Sequence, residues 1–497
     1  MNILKDKFYL PIIFLLLVSF IWFSKIFYIW DHDTGLWYLI SNQFNDNYTL
    51  YKNEFDNKGP LFFLFIKFVS YIIGYGVYQA YFFYSLCIFS FLLVLLYLIN
   101  QKKLDYKIYW ILLLSFTSIF LIKKPHIVFI LFYYSFFLLF IHFLLKSVIL
   151  NSKNYFILAF IFFSLCSIIL IEIYLYSPLI LLTFIYLFIF KEKKIDKIIL
   201  YPILFLFVFG LINYLPKLYF GYSFKDFYTA TILYQASSSK GPVMSINFIY
   251  FLILTLILPL FLKAIYFSNF KNFIIKRFDY FIIAIFLLIS ISKYLYFSDG
   301  TGGRYLLFLY IPLIYFIIYF SEYIKINKII IALYFLISIL VHGKNLAPPI
   351  LKNLVFHNCF INFYCDAPSY ANLFKGTVEY LNKNKNKKYY YVDINAWILI
   401  ITNSDYYGVV NNNYIYSCKR GNCVDSIDKN EPWVTDGLLN AHNKFLNGEF
   451  GNMIIHDWLY IRNPEQLSKY WGEIVKHQVN LKKLDHFYLL EINKNNK

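Results

Sequence analysis

Charged side chains are scarce in this sequence, 15% of 497 residues, against roughly 25% in ordinary soluble domains. With 60% of residues hydrophobic, too little polar surface remains to coat a water-soluble core. That excludes a soluble globular protein for most of the chain. Acidic residues are scarcer than basic ones, 28 against 46, which leaves a net charge of +18. Such a balance can mark a nucleic-acid binder, but no basic helix or zinc-ligand pattern accompanies it, and nucleic acid is excluded as a partner. No internal repeat is present. The run Ser237-Ser238-Ser239-Lys240-Gly241 lacks the spacing of a phosphate-cradling Gly-rich loop. The first apolar run, Phe8 to Trp30, has no small-residue cleavage site and exceeds a typical signal peptide. It reads as a retained first span.

What fills the sequence instead is long apolar runs. A membrane-spanning helix needs about 20 mostly apolar residues. Spans are expected near 8–30, 77–100, 108–122, 126–146, 155–171, 177–191, 198–215, 247–267, 280–297, 305–324 and 328–343, about eleven in all. The abundant aromatics, 57 Phe and 49 Tyr, fit lipid-facing and packing positions and do not by themselves mark sites. Lysines and arginines set the orientation, because inner loops are enriched in them. With the N-terminus inside, the inner loops hold Lys102, Lys103 and Lys107; Lys146 and Lys153; Lys191 to Lys197; Lys271, Lys276 and Arg277; and Lys325 and Lys328. Lys123 and Lys124 are the exception. The segment from Pro60 to Tyr75 is apolar but short and carries Lys67, so it reads as a helix lying along the outer surface.

From about Lys344 the composition turns polar, with Pro348 and Pro349 at the boundary. Residues 1–343 form the expected membrane domain and 344–497 a small soluble α/β domain. Strands are expected at Lys388–Ile394, Tyr406–Val410 and His486–Glu491, and helices at Ser369–Asn382 and Glu465–Gln478. An odd number of spans places this domain outside the cytoplasmic membrane. Cys87 and Cys166 lie in apolar runs and read as packing residues. Cys359, Cys365, Cys418 and Cys423 fall in the polar part as two close pairs. They point to two disulfides in an oxidising compartment, with the pairing open, or to a four-thiolate zinc site.

The most informative residues follow the first span: Asp31-His32-Asp33-Thr34-Gly35-Leu36-Trp37-Tyr38, then Tyr51-Lys52-Asn53-Glu54-Phe55-Asp56-Asn57-Lys58-Gly59-Pro60-Leu61. Carboxylates at the end of a span are costly to dehydrate and serve either a watered site or the loop's exit into solvent. This arrangement resembles the integral-membrane glycosyltransferases that use polyprenyl-phosphate sugars, the GT-C type that includes protein O-mannosyltransferases and aminoarabinose transferases. Asp33 matches that group's acidic residue in the first outer loop. Lys58-Gly59-Pro60-Leu61 is similar to its Lys-Pro-Pro-Leu-like segment, with Gly59 for the first proline. Gly303-Arg304-Tyr305-Leu306 and Pro312 resemble its late basic motif.

The resemblance implies a GT-C-like fold and transfer of a sugar from a polyprenyl-phosphate donor to a lipid, glycan or protein acceptor, with inversion. Asp33 is the implied general base, which would take the proton of the attacking hydroxyl; Asp31 is the other candidate. In an extended loop the two would share a face, and Asp31 could then orient Asp33 or help hold a divalent cation. No cofactor is required by this reading. Lys58 and Arg304 would stabilise the leaving phosphate, although either fits equally a cation snorkelling to headgroups or sitting in a loop. Asp56 and Tyr305 lie beside them. Further substrate-binding candidates are His126, after Lys123-Lys124-Pro125, and Glu172, set in an apolar run. The outer loop from Lys217 to Ser245, with Tyr222, Asp226 and Gln235, is long enough to cover a site. His456-Asp457 has no nucleophile nearby and reads as structural. A transporter or flippase of lipid-linked glycans is the alternative, but such proteins show paired interrupted helices in two related halves, and none is evident. A glycan polymerase or ligase would use larger outer loops rich in Arg and His.

Overall fold

The computed structural model describes residues 32–42, 49–51, 58–74, 77–101, 127–192, 195–233, 278–297 and 371–387, seven strands beyond them, and short pieces between. Two compact units result. One comprises residues 1–25, 84–215 and 238–355; the other comprises 26–83, 216–237 and 356–497.

The first unit is a helical bundle. Its described helices are α3 (Val77–Gln101, entering from the second unit), α4 (Ile127–Ile149), α5 (Lys153–Ser167), α6 (Ser177–Phe184), α7 (Ile195–Phe220) and α9 (Phe278–Phe297). Helices α3 and α4 meet along a seam of constant offset: Ser90 with Ser135 at 3.3 Å, Tyr97 with His142 at 5.6 Å between rings, and Gln101 with Lys146 at 3.0 Å. Pairing at a fixed offset means that the two helices run parallel, the relation expected of a second and a fourth span. Helix α5 then folds back antiparallel on α4, joined through Asn151 at φ 47°, a left-handed conformation that asparagine tolerates. The stacked pair Phe143 and Phe162 and the ring contact of Phe140 with Phe163 hold this hairpin.

Further pairs give the other directions. Phe160 stacks on Phe205 at 4.5 Å and Asn213 donates to Ser167 at 3.5 Å, so α5 and α7 are parallel. Tyr186 stacks on Phe278 at 4.2 Å while the Tyr176 and Ser290 hydroxyls meet at 3.0 Å. The chain through α6 is therefore antiparallel to α9. In lipid, apolar burial drives helix association little, and packing plus interhelical hydrogen bonds do more, at about 0.6 kcal/mol per bond on average. Tyr319 donating to the buried carboxylate of Asp279 at 2.5 Å belongs to this set.

Two described helices are long and apolar enough to cross a bilayer, Ile130–Ile149 and Pro202–Phe220. They share a mean hydropathy of 1.7, yet 72% of the first window is buried in the protein and only 17% of the second. Helix α4 is thus central, and α7 turns Leu206 (72% exposed) and Phe207 (65%) outward, as a lipid-facing helix does. The span expected at 155–171 ends earlier, at Ser167. A 3-10 turn, Ile171–Tyr176, leads from there into α6, which continues as a π-helical stretch, Ile185–Glu192.

In the second unit, α1 (His32–Asn42) packs on α2 (Pro60–Ile73). Proline suits the first turn of α2, where its missing N–H is no loss. Gly74 ends the helix at φ 91°, which L side chains avoid. Fourteen residues make a helix of about 21 Å, short of the roughly 30 Å hydrocarbon core. Its Phe62, Phe63, Ile66 and Val69 are buried while Phe68, Tyr71 and Ile72 are exposed. The segment expected as a short apolar helix is therefore helical, with one side buried and the other exposed.

The C-terminal part carries a five-stranded sheet of order β2-β1-β5-β7-β6. The strands are β1 (Tyr389–Val392), β2 (Tyr407–Val409), β5 (Asn452–His456), β6 (Gln478–Leu484) and β7 (Phe487–Asn493). β1 pairs in parallel with β2 and β5, and β7 pairs antiparallel with β5 and β6. Helix α10 (Ala371–Lys383) joins the β6–β7 turn through the Thr377 N–H, which donates to Asp485 at 2.9 Å. A separate hairpin is formed by β3 (Tyr416–Lys419) and β4 (Asn422–Asp425). Expected strands 388–394, 406–410 and 486–491 correspond to β1, β2 and β7. Strands β3 to β6 were not expected, and Gln478 opens β6 instead of closing a helix; the rest of the helix expected at 465–478 lies outside the described residues.

Candidate active site

The acidic loop after the first expected span is helical from His32 onward. Asp33 occupies the first turn of α1. The extended conformation in which positions 31 and 33 would share a face is therefore not found at Asp33, and Asp31 lies outside the described residues. Four positions further on stands Trp37.

Trp37 is 4% exposed and meets Phe62 of α2 edge-on at 5.2 Å. The Ser41 hydroxyl donates to its carbonyl at 2.6 Å. Over the Trp37 ring lies the ammonium of Lys58, 4.9 Å from the centroid. Lys58 precedes α2 by two residues, so the pairing of α1 with α2 brings the Lys-Gly-Pro-Leu segment to Trp37. Lys58 and Trp37, both in the stretch that follows the first expected span, thus meet at one place.

A second set of side chains holds this segment. Tyr51 donates its hydroxyl to the Lys58 carbonyl at 2.5 Å. Its ring meets Tyr222 at 5.3 Å and Phe227 at 5.5 Å. Burial pushes the Tyr222 phenol well above its ordinary value, so it stays a neutral hydroxyl. Asp226, a candidate in the covering loop, caps the short helix α8 (Phe224–Tyr228) reciprocally with Ser223. That is a structural role. Gln235 and the serine run lie outside the described residues. Sequence reading passed over Trp37 and Tyr51, although the four-residue step from Asp33 to Trp37 was visible.

The remaining candidates are not gathered here. Glu172 sits in the 3-10 turn between α5 and α6, at a helix connection and not in the middle of a span. Tyr133, Tyr134 and Tyr176 lie within its electrostatic reach. Asp56, His126, Arg304, Tyr305, Cys359 and Cys365 lie outside the described residues. Cys87 and Cys166 are buried thiols, as packing residues should be. His456 closes β5 opposite Phe487. Among the described residues, no three His, Cys, Asp or Glu side chains converge as a metal site.

No known family's sequence profile matches the chain, and no curated protein resembles it in sequence. Solved structures do resemble it in fold. ArnT from Cupriavidus metallidurans bound to undecaprenyl phosphate superposes with a TM-score of 0.56 at 11% identity, covering 97% of this chain and 98% of that one. The apo state of the same ArnT gives 0.52 at 10% identity, over 96% and 97% of the two chains. The present chain thus shares the ArnT fold, a GT-C-like fold.

Proposed function

We propose that this protein is a membrane glycosyltransferase that moves a sugar from a polyprenyl-phosphate donor to a lipid, glycan or protein acceptor on the outer face of the cytoplasmic membrane. The observation that carries the reading is the placement of Lys58 over Trp37 of α1, the helix whose first turn contains Asp33. The fold of a protein solved with undecaprenyl phosphate supports the donor class.

In this reaction the acceptor hydroxyl oxygen attacks the anomeric carbon as the bond to the phosphate oxygen breaks. The phosphate leaves with the electron pair, the configuration inverts, and Asp33 takes the hydroxyl proton. Charge grows on the departing phosphate, where a fixed cation stabilises the transition state more than the ground state. Lys58 fills that role, with Arg304 as its expected companion. Asp31 either orients Asp33 or, with it, holds a divalent cation; the step itself needs no metal.

The experiment uses the full chain in nanodiscs with radiolabelled undecaprenyl-phosphate sugars and a membrane-glycan extract, comparing wild type with Asp33→Asn. Transfer by wild type that falls by about 10²–10⁴-fold in a folded Asp33→Asn variant is expected. Transfer that survives moves the base elsewhere, and flipping without transfer overturns the enzyme reading.

A further inference from the structure

Strands β3 and β4 pair antiparallel with the register Tyr416 to Asp425, Ser417 to Val424, Cys418 to Cys423 and Lys419 to Asn422. Only Arg420 and Gly421 separate the strands. In a hairpin with a two-residue loop, the residues flanking the loop exchange hydrogen bonds, and the type of pair then alternates along the ladder. Lys419 and Asn422 are thus the hydrogen-bonded pair, and Cys418 with Cys423 is the next, non-hydrogen-bonded one. Directly opposed residues stand on one face of the hairpin. In non-hydrogen-bonded pairs the Cα atoms are about 4.5 Å apart, inside the 4.4–6.8 Å that a disulfide needs.

We infer that Cys418 and Cys423 form a cross-strand disulfide that clips the β3–β4 hairpin. Four cysteines allow three connectivities. This pair removes two of them and leaves Cys359 with Cys365. The reaction is thiol–disulfide exchange: the two thiols lose two protons and two electrons, and the disulfide of an extracytoplasmic thiol oxidant is reduced to a dithiol. A structural disulfide persists only in an oxidising compartment, so the same bond fixes the side of the membrane on which the C-terminal unit resides. The inference stands apart from the proposed transferase activity and does not rest on it.

The test takes the full-length protein from membranes, blocks free thiols with N-ethylmaleimide under denaturing conditions, and digests with trypsin without reduction. Cleavage after Lys419 and Arg420 puts the two cysteines on separate peptides, 389–419 and 421–429. The expected result is these two peptides joined, with a mass about 2 Da below their sum, and separated by reduction. N-ethylmaleimide on both cysteines, a link from either to Cys359 or Cys365, or zinc released upon thiol modification would overturn it. Cys418→Ser gives an independent reading. In the denatured, unreduced variant Cys423 alkylates fully, whereas in wild type it does not; equal alkylation in both sinks the assignment.

Discussion

Removing the Lys58 cation should cost the chemical step far more than the fold, and Trp37 should share in that cost only through Lys58. The ammonium lies 4.9 Å from the Trp37 centroid, within the roughly 6 Å reach of a cation–π interaction; at a half-buried site this is worth about 1–2 kcal/mol. A preorganised group aimed at developing charge contributes about 3 kcal/mol, so Lys58→Met should lower kcat by about 10²-fold. Trp37→Leu leaves the charge but frees it from its ring, and should lower kcat by about tenfold. In the double variant the ring has no cation left to place, so kcat should fall little below that of Lys58→Met. The coupling energy should then be about 1–2 kcal/mol. Single-turnover transfer at saturating labelled donor, in nanodiscs, measures all four corners of the cycle. A Lys58→Met enzyme with kcat within twofold of wild type would refute the leaving-group role. Additive losses would refute the idea that Trp37 acts by positioning Lys58.

Two further perturbations test the fold that holds the site. Leu206, 72% exposed on α7, faces lipid on this reading, so Leu206→Lys places a charge where insertion costs about 2.5–3.5 kcal/mol; membrane-inserted yield should drop sharply, while Leu206→Ala should insert normally. A Cβ at Gly376 would lie 2.8 Å from both carboxylate oxygens of Asp485, which is held there by the Thr377 N–H. Gly376→Ala should therefore destabilise the C-terminal sheet by about 1–3 kcal/mol, read by denaturant unfolding, and an unchanged midpoint would mean that the β6–β7 turn yields freely.

Helices α3, α4, α7 and α9 were legible because a helix that crosses lipid must be continuously apolar and about 20 residues long; the spans expected at 8–30, 108–122, 247–267 and 328–343, and most of 305–324, lie outside the described residues. Helices α3, α4, α7 and α9 accordingly begin and end within a few residues of the expected limits. The break between α5 and α6 was not, because Ile171-Glu172-Ile173-Tyr174 is as apolar as its flanks and hydropathy does not see a 3-10 turn. In the C-terminal part the strands foreseen were those rich in Tyr and Val. β6 reads Gln-Val-Asn-Leu-Lys-Lys-Leu, and its buried positions, Val479 and Leu484, stand five residues apart, so no period-two alternation marks it as a strand. At the site, motif spacing singled out Asp33 and Lys58 separately. The meeting of Lys58 with Trp37 depends on α1 packing against α2 through Trp37 and Phe62, a tertiary fact without a signature in either segment.

Side-chain pairs across the bundle and charges along the sequence answer different halves of the topology. Ser90 with Ser135 and Gln101 with Lys146 make α3 and α4 parallel; Phe160 with Phe205 and Ser167 with Asn213 do the same for α5 and α7. Those relations hold whichever way the bundle is inserted. Lysines break the tie. The end of the bundle where Gln101 meets Lys146 is also where α5 begins at Lys153, and this clustering of basic residues at one end is what the positive-inside rule assigns to the cytoplasm. Val77, at the opposite end of α3, follows directly on the segment that carries Asp33, Lys58 and α2. A joined Cys418–Cys423 peptide pair would in turn place that hairpin in an oxidising compartment, on the side away from the cytoplasm.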